Sequence, residues 1–151
     1  MKRVLIFLVS LILLLSACAP QAAQLPAPDE LFQQLCQAAE LPPMMDVAAD
    51  FLLDDTGIDP ADCDGAVYYL QEMGTSPDEI IIVRLKDDAA AADALQRLQD
   101  RLTAKEEAAH VYLTEYLPVI EKGFVRRDGL TVSLVVSEHS DALAAVFDSF
   151  Q

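Results

Sequence analysis

Hydrophobic residues occur along this chain first as one block and then in two alternating rhythms. Val4 to Leu15 form an almost unbroken apolar run. From Asp29 to Leu41, Leu31, Phe32, Leu35, Cys36 and Ala39 fall at helical spacing, with Asp29 placed as N-cap and Pro42-Pro43 as the stop. Met44 to Asp55 fits two patterns. Met45, Ala48, Ala49, Leu52 and Leu53 suit an amphipathic helix, whereas Met44-Met45-Asp46-Val47 suits a short strand; the helix is preferred. Asp59-Pro60-Ala61-Asp62 combines an N-cap, a proline at the first helical position and an early acid, which predicts one helical turn.

Beyond that turn the period changes to two. Ala66 to Met73 and Glu79 to Lys86, rich in Val, Ile and Tyr, read as an antiparallel hairpin around Gly74-Thr75-Ser76-Pro77-Asp78. Asp87 or Asp88 then caps a long helix whose stripe runs Ala91, Leu95, Leu98, Leu102, Ala109, Tyr112 and Tyr116, ending at Pro118. Phe124 to Arg127 and Leu130 to Ser137 flank Asp128-Gly129, a two-residue turn that pairs Arg127 with Leu130 and Val125 with Val132. Alternation sends Val125, Leu130, Val132, Leu134 and Val136 towards the helices, and Phe124, Arg126, Thr131, Ser133 and Val135 to the opposite face. Ser137 or Ser140 caps a last helix presenting Leu143, Val146, Phe147 and Phe150. The expected fold is α+β: a mostly antiparallel four-stranded sheet of two hairpins, packed with a long central helix and flanking N- and C-terminal helices.

A length of 151 residues suits one such domain, expected over residues 29–151. Acidic residues dominate, 25 against 10 basic, for a formal net charge of −15. A field of that sign repels phosphate backbones, and no stretch joins clustered Lys/Arg to stacking aromatics, so nucleic acid is not an expected partner. Only three cysteines occur, which excludes a disulfide-dense scaffold.

The N-terminal block changes the picture. Lys2 and Arg3 precede a run from Val4 to Leu15 that spans about 18 Å as helix, short of a hydrocarbon core of about 30 Å, so a processed export signal fits better than a membrane span. Leu15-Ser16-Ala17-Cys18 resembles the bacterial lipobox. That resemblance implies a signal peptide over residues 1–17, cleavage between Ala17 and Cys18, and acylation of Cys18, palmitate being one of the chains expected. Two or three acyl chains anchor stably where one does not. Residues 18–28, with three prolines and no hydrophobic period, are expected to be a tether, and the cell membrane's extracytoplasmic face is the expected location.

Four short stretches carry a second resemblance: Gly57-Ile58-Asp59-Pro60, Ser76-Pro77-Asp78-Glu79-Ile80, Tyr116-Leu117-Pro118 and Leu134-Val135-Val136-Ser137. In these the chain resembles small surface lipoproteins of clostridial-type Gram-positive bacteria that carry domain-of-unknown-function family 4358, over about Met44 to Phe150. The resemblance implies surface location and no catalytic residue.

Candidate chemistry is sparse. Asp54, Asp55, Asp59, Asp62 and Asp64 precede Gly65, but an EF-hand loop would need an acid at Pro60 and a Glu at Gln71; Asp59, Asp62 and Asp64 remain weak candidates for a looser oxygen-ligand site, and no cofactor is expected. Cys36 and Cys63 could form a disulfide in an exported protein, or Cys36 could simply be buried on its helix stripe. His110 and His139 lie in no nucleophile or H-E-x-x-H context, so an enzyme is the third choice. If the long helix covers only one sheet face, the other, with Tyr68, Ile80, Ile82 and Phe124, must be covered by the first helix or serve as a possible binding face; coverage is preferred, since the chain has helices to spare. The expected function is therefore a lipid-anchored, non-enzymatic binding or accessory module of the cell envelope, with an envelope protein as possible partner. The alternative is a small-ligand or metal-sensing surface module.

Overall fold

A computed structural model describes residues 25–47 and 50–151. The expected signal peptide, Cys18 and most of the tether lie outside those residues, as do Ala48 and Ala49. The described chain runs α1 (Pro28–Ala38), β1 (Met44–Asp46), α2 (Asp50–Thr56), a 3-10 turn (Pro60–Asp62), β2 (Cys63–Gln71), β3 (Glu79–Leu85), α3 (Asp88–Tyr112), α4 (Leu117–Ile120), β4 (Phe124–Asp128), β5 (Thr131–Val136) and α5 (Ser140–Asp148). The α+β class holds, but the sheet has five antiparallel strands in the order β1-β2-β3-β5-β4 rather than four. The additional strand is β1: after Pro42-Pro43 stop α1, Met44 to Asp46 pair with Gln71 to Tyr69 at the sheet edge. The ambiguous segment is thus strand first and helix afterwards.

The central strand β3 explains the layering. Both of its faces are buried, so its sequence is a near-continuous apolar run. Ile81, Val83 and Leu85 pack beneath α3 with Leu98, Val132 and Leu134. Ile80 and Ile82 pack on the other side with Leu31 and Leu35 of α1 and Leu143 and Phe147 of α5. The second face is therefore covered and does not form the possible binding face: Ile80 and Ile82 are wholly buried and Phe124 packs against that layer. Tyr68 does not share that face at all. It stands opposite Ile81, on the α3 side.

Local chemistry sets the element ends. Asp87 is the residue that caps α3, its Oδ1 accepting from Ala90 N at 2.9 Å. That helix ends at Tyr112, short of the expected Pro118, and Tyr112 is exposed rather than on the core stripe. α1 starts at Pro28, with Ala27 rather than Asp29 at its N-cap position. Neither Ser137 nor Ser140 occupies the N-cap of α5, which is His139; the two serines bond to each other instead. Gly123 is needed for close approach, because a Cβ there would stand 2.8 Å from the Ile120 carbonyl oxygen.

In the β4–β5 hairpin Arg127 pairs with Val132 and Asp128 with Thr131, so the turn residues are Gly129 and Leu130. Gly129 alone takes a positive φ, 62°, which puts glycine at the first central position, as a type II′ turn requires. The register is offset by two residues from the expected one. An even offset keeps every side chain on its expected face.

The domain begins earlier than residue 29. Leu25 is buried among the α1–α5 layer, and Arg84 on β3 donates to the Leu25 and Pro26 carbonyls at 2.6 and 2.5 Å.

Cys36 and Cys63 are free thiols, so the possible bridge is not formed, nor is Cys36 buried on its helix stripe. Cys36 is exposed on α1, while Cys63 packs on the opposite, α3 side of the sheet. Burial first, then the neighbouring Asp62 and Asp59 carboxylates, push the Cys63 thiol up to about 11. Since only thiolate reacts, alkylation of the folded protein at pH ~8 should modify Cys63 slowly. Unfolded without reductant, both cysteines should react fully in a peptide map; a Cys36–Cys63 linked peptide would contradict this arrangement.

Candidate functional site

Two polar features stand out from this framework, one sealed and one open. The sealed one begins with Glu79, the first residue of β3, which alternation turns towards α3 with Ile81 and Val83. Its side chain is fully buried, and a buried carboxylate is tolerable only when paired. Arg101 and Lys105, four residues apart and therefore on one face of α3, supply the charges: Arg101 Nη2 lies 2.6 Å from Oε1 and Lys105 Nζ 2.9 Å from Oε2. Arg101 also donates to the Tyr68 hydroxyl at 2.6 Å and, through Nη1, to the Asp55 carbonyl at 2.8 Å. Tyr68 in turn donates to Asp55 Oδ2 at 3.0 Å. Burial, reinforced by the Glu79 carboxylate, raises the Tyr68 phenol pKa above its ordinary value. Burial opposes the Arg101 charge, yet Glu79 outweighs it and keeps that guanidinium more basic than usual. A shallow groove of about 530 Å³ opens outside the cluster, between α2 and α3. Its charges are consumed by one another, so the cluster's work is to fasten α3 to β3.

The open feature lies at the end of the sheet where β3 begins. Here the α1–β1 link (Leu41 to Pro43), the β2–β3 loop (Ser76 to Asp78), Tyr116 at the start of α4 and Val119 within it, and Glu138-His139 before α5 enclose a cleft of about 690 Å³. The loop is braced. The Gln71 side chain donates to Thr75 Oγ1 at 3.0 Å and accepts from Thr75 N at 2.8 Å, Tyr116 Oη donates to the Thr75 carbonyl at 2.9 Å, and Lys105 Nζ donates to the Pro77 carbonyl at 3.0 Å. Asp78 is 5% exposed. Ser76 Oγ donates to its Oδ2 at 2.6 Å, but its buried Oδ1 has no hydrogen-bond partner among the described residues. His139 Nε2 stands 3.5 Å from Glu138 Oε1 on the rim. A larger groove of about 780 Å³ between α1 and α5 is lined by Gln33, Gln37 and small residues and holds no buried charge.

The residues expected from sequence fall elsewhere. Asp59 accepts from Ala61 N at 2.8 Å and caps the 3-10 turn, and neither it nor Asp62 or Asp64 belongs to any group of three metal-ligating side chains among the described residues. Arg126 and Arg127, adjacent on β4 and so turned to opposite faces, form no joint site: the first pairs with Asp128 and Asp148 over the Phe147 ring, the second with Asp88. His110 is exposed on α3 and does not line the cleft. Glu79, Arg101, Lys105 and Asp78 escaped sequence reasoning, although two signals were present. Arg101 and Lys105 continue the Leu98 stripe at helical spacing, and Asp78-Glu79 lead directly into Ile-Ile-Ile-Val.

The family described as a domain of unknown function (DUF4358) matches residues 37–137. The match takes in all five strands and α3, starts earlier than the expected Met44, and stops before α5. No curated protein and no solved structure matches the chain.

Replacing Glu79 by Gln leaves two cations facing a neutral amide. Their side chains retain 22% and 24% exposure, so water relieves part of the penalty and the cost falls at the low end of that for broken buried pairs, about 3 kcal/mol in urea unfolding. A loss below about 1 kcal/mol, the ceiling for an exposed pair, would show that the cluster does not fasten the helix.

Proposed function

This chain belongs to the DUF4358 family, and from that membership together with its N-terminal sequence we propose a lipid-anchored, extracytoplasmic and non-enzymatic binding or accessory module of a bacterial cell envelope. The observation that carries the reading is the position of the cleft relative to the chain's entry. Leu25 and Pro26 are held at Arg84, near the end of β3, whereas Asp78 immediately precedes its start. Six residue steps along the strand separate Asp78 from Arg84, about 20 Å at 3.3 Å per residue. The described chain thus enters at one end of β3, with the cleft presented at the other. The Leu15-Ser16-Ala17-Cys18 ending supports the anchor, and the acidic surface supports a soluble domain held clear of anionic headgroups. A small-ligand reading is favoured by one observation alone, the partnerless Asp78 oxygen in the cleft wall.

Metabolic labelling with palmitate tests the anchor. The natural chain should carry label and sediment with membranes, and Cys18→Ala should lose the label; labelling unchanged by the substitution would refute acylation at Cys18. Crosslinking in the native membrane should then recover a reproducible envelope partner that is lost with Cys18→Ala.

A further inference from the structure

We propose that the cleft beneath the β2–β3 loop binds an alkylammonium group, with the Asp78 carboxylate as its counter-ion. The inference rests on the reading of this domain as a binding module and does not depend on the lipid anchor.

Charge sets the sign of the ligand. Glu40, Asp78 and Glu138 all line the cleft, and no lysine or arginine does among the described residues. Asp78 makes this more than an acidic surface. A carboxylate oxygen shut away from water and lacking a donor costs free energy that the rest of the fold has to offset, and an N–H donor brought by a ligand removes that cost. Asp78 lines the cleft while its Oδ1 is shut off from solvent, so a ligand reaches that atom only when the lining parts. Glu138 and His139, with side chains 71% and 38% exposed, are free to give way.

Shape and composition set the class. Leu41, Pro42, Pro77 and Val119 give the cleft an apolar wall suited to a methylene chain, and the Tyr116 ring, its hydroxyl engaged by the Thr75 carbonyl, adds a face that favours a cation. A bare metal ion fits poorly. Among the described residues the cleft's acids and His139 do not form a group of three that could share one ion, so a cation with an extended body matches their spread better. A volume of about 690 Å³ lies within the range of sites for small organic ligands.

Two sources could present this group, a free polyamine or the lysine side chain of a protein, and the test separates them. The full chain in detergent is titrated by calorimetry with cadaverine and, separately, with Nα-acetyl-lysine amide, at matched ionic strength. Saturable binding of either supports the inference; cadaverine alone indicates a free amine, and the lysine derivative binding as well or better indicates a protein side chain. Asp78→Asn, which can still accept from Ser76, should weaken binding at least about tenfold. Should that variant fail to fold, Glu138→Gln on the exposed rim should weaken it about threefold. Pentanol binding as tightly as the amines, or variants that bind as the natural chain does, would overturn the inference. Absence of binding by both amines would overturn it too, and a crosslinked partner recovered alongside would leave the binding-module reading intact.

Discussion

Glu79 is the constraint around which this domain is arranged. A carboxylate at the head of a strand buried on both faces is taken wholly out of water, and its charge is acceptable only because α3 lays Arg101 and Lys105 against it. Those contacts fix how α3 lies along the sheet. Hydrophobic packing by Leu98, Ala94 and Ala91 would tolerate sliding, since apolar contact is non-directional; an ion pair at 2.6 Å would not. The same helix reaches past the strand to the Pro77 carbonyl through Lys105, so the loop that carries Asp78 is held by the interaction that secures the core.

That coupling gives the two polar features different characters. In the buried cluster each carboxylate oxygen of Glu79 has a cation within 2.9 Å, Oε2 through the Lys105 charge without an aligned hydrogen bond, and Tyr68 closes the network towards Asp55. In the cleft one oxygen is left over. The braced loop, with Gln71 and Tyr116 both bonded to Thr75, holds this surplus acceptor in place before any ligand arrives, which is the preorganisation that binding favours. The family match covers the sheet, α3 and most of the cleft wall but neither α5 nor α1 before residue 37, so the helices that cover the second face lie almost wholly outside the shared region.

Much of this was readable in the residues. Asp87, the Leu98 stripe and the two hairpins are local signals, and local signals survive folding here. The β4–β5 faces were also legible, because a two-residue error in register does not change side-chain direction. The β2–β3 hairpin was different. Its connection, residues 72–78, is too long to dictate a register, so nothing in the sequence revealed that Tyr68 stands opposite Ile81 and away from Ile82. β1 was only the second of two readings because three residues are too few to show a period, and their strand character comes from pairing with Gln71, Leu70 and Tyr69. The ion cluster was hidden for a related reason: Glu79 and Arg101 are distant in sequence, and each alone looks like a solvated charge.

The grip of Arg84 on the Leu25 and Pro26 carbonyls has a mechanical meaning. Any pull on the segment that precedes Leu25 reaches the sheet at its middle strand, which hydrogen bonds to neighbours on both sides, rather than at an edge that could be peeled away one bond at a time. Tension is thereby shared across two ladders and the Leu25 contact in the α1–α5 layer. A domain held in this way can be tugged from its N-terminal end while the far end of the sheet, and whatever it grasps, keeps its shape.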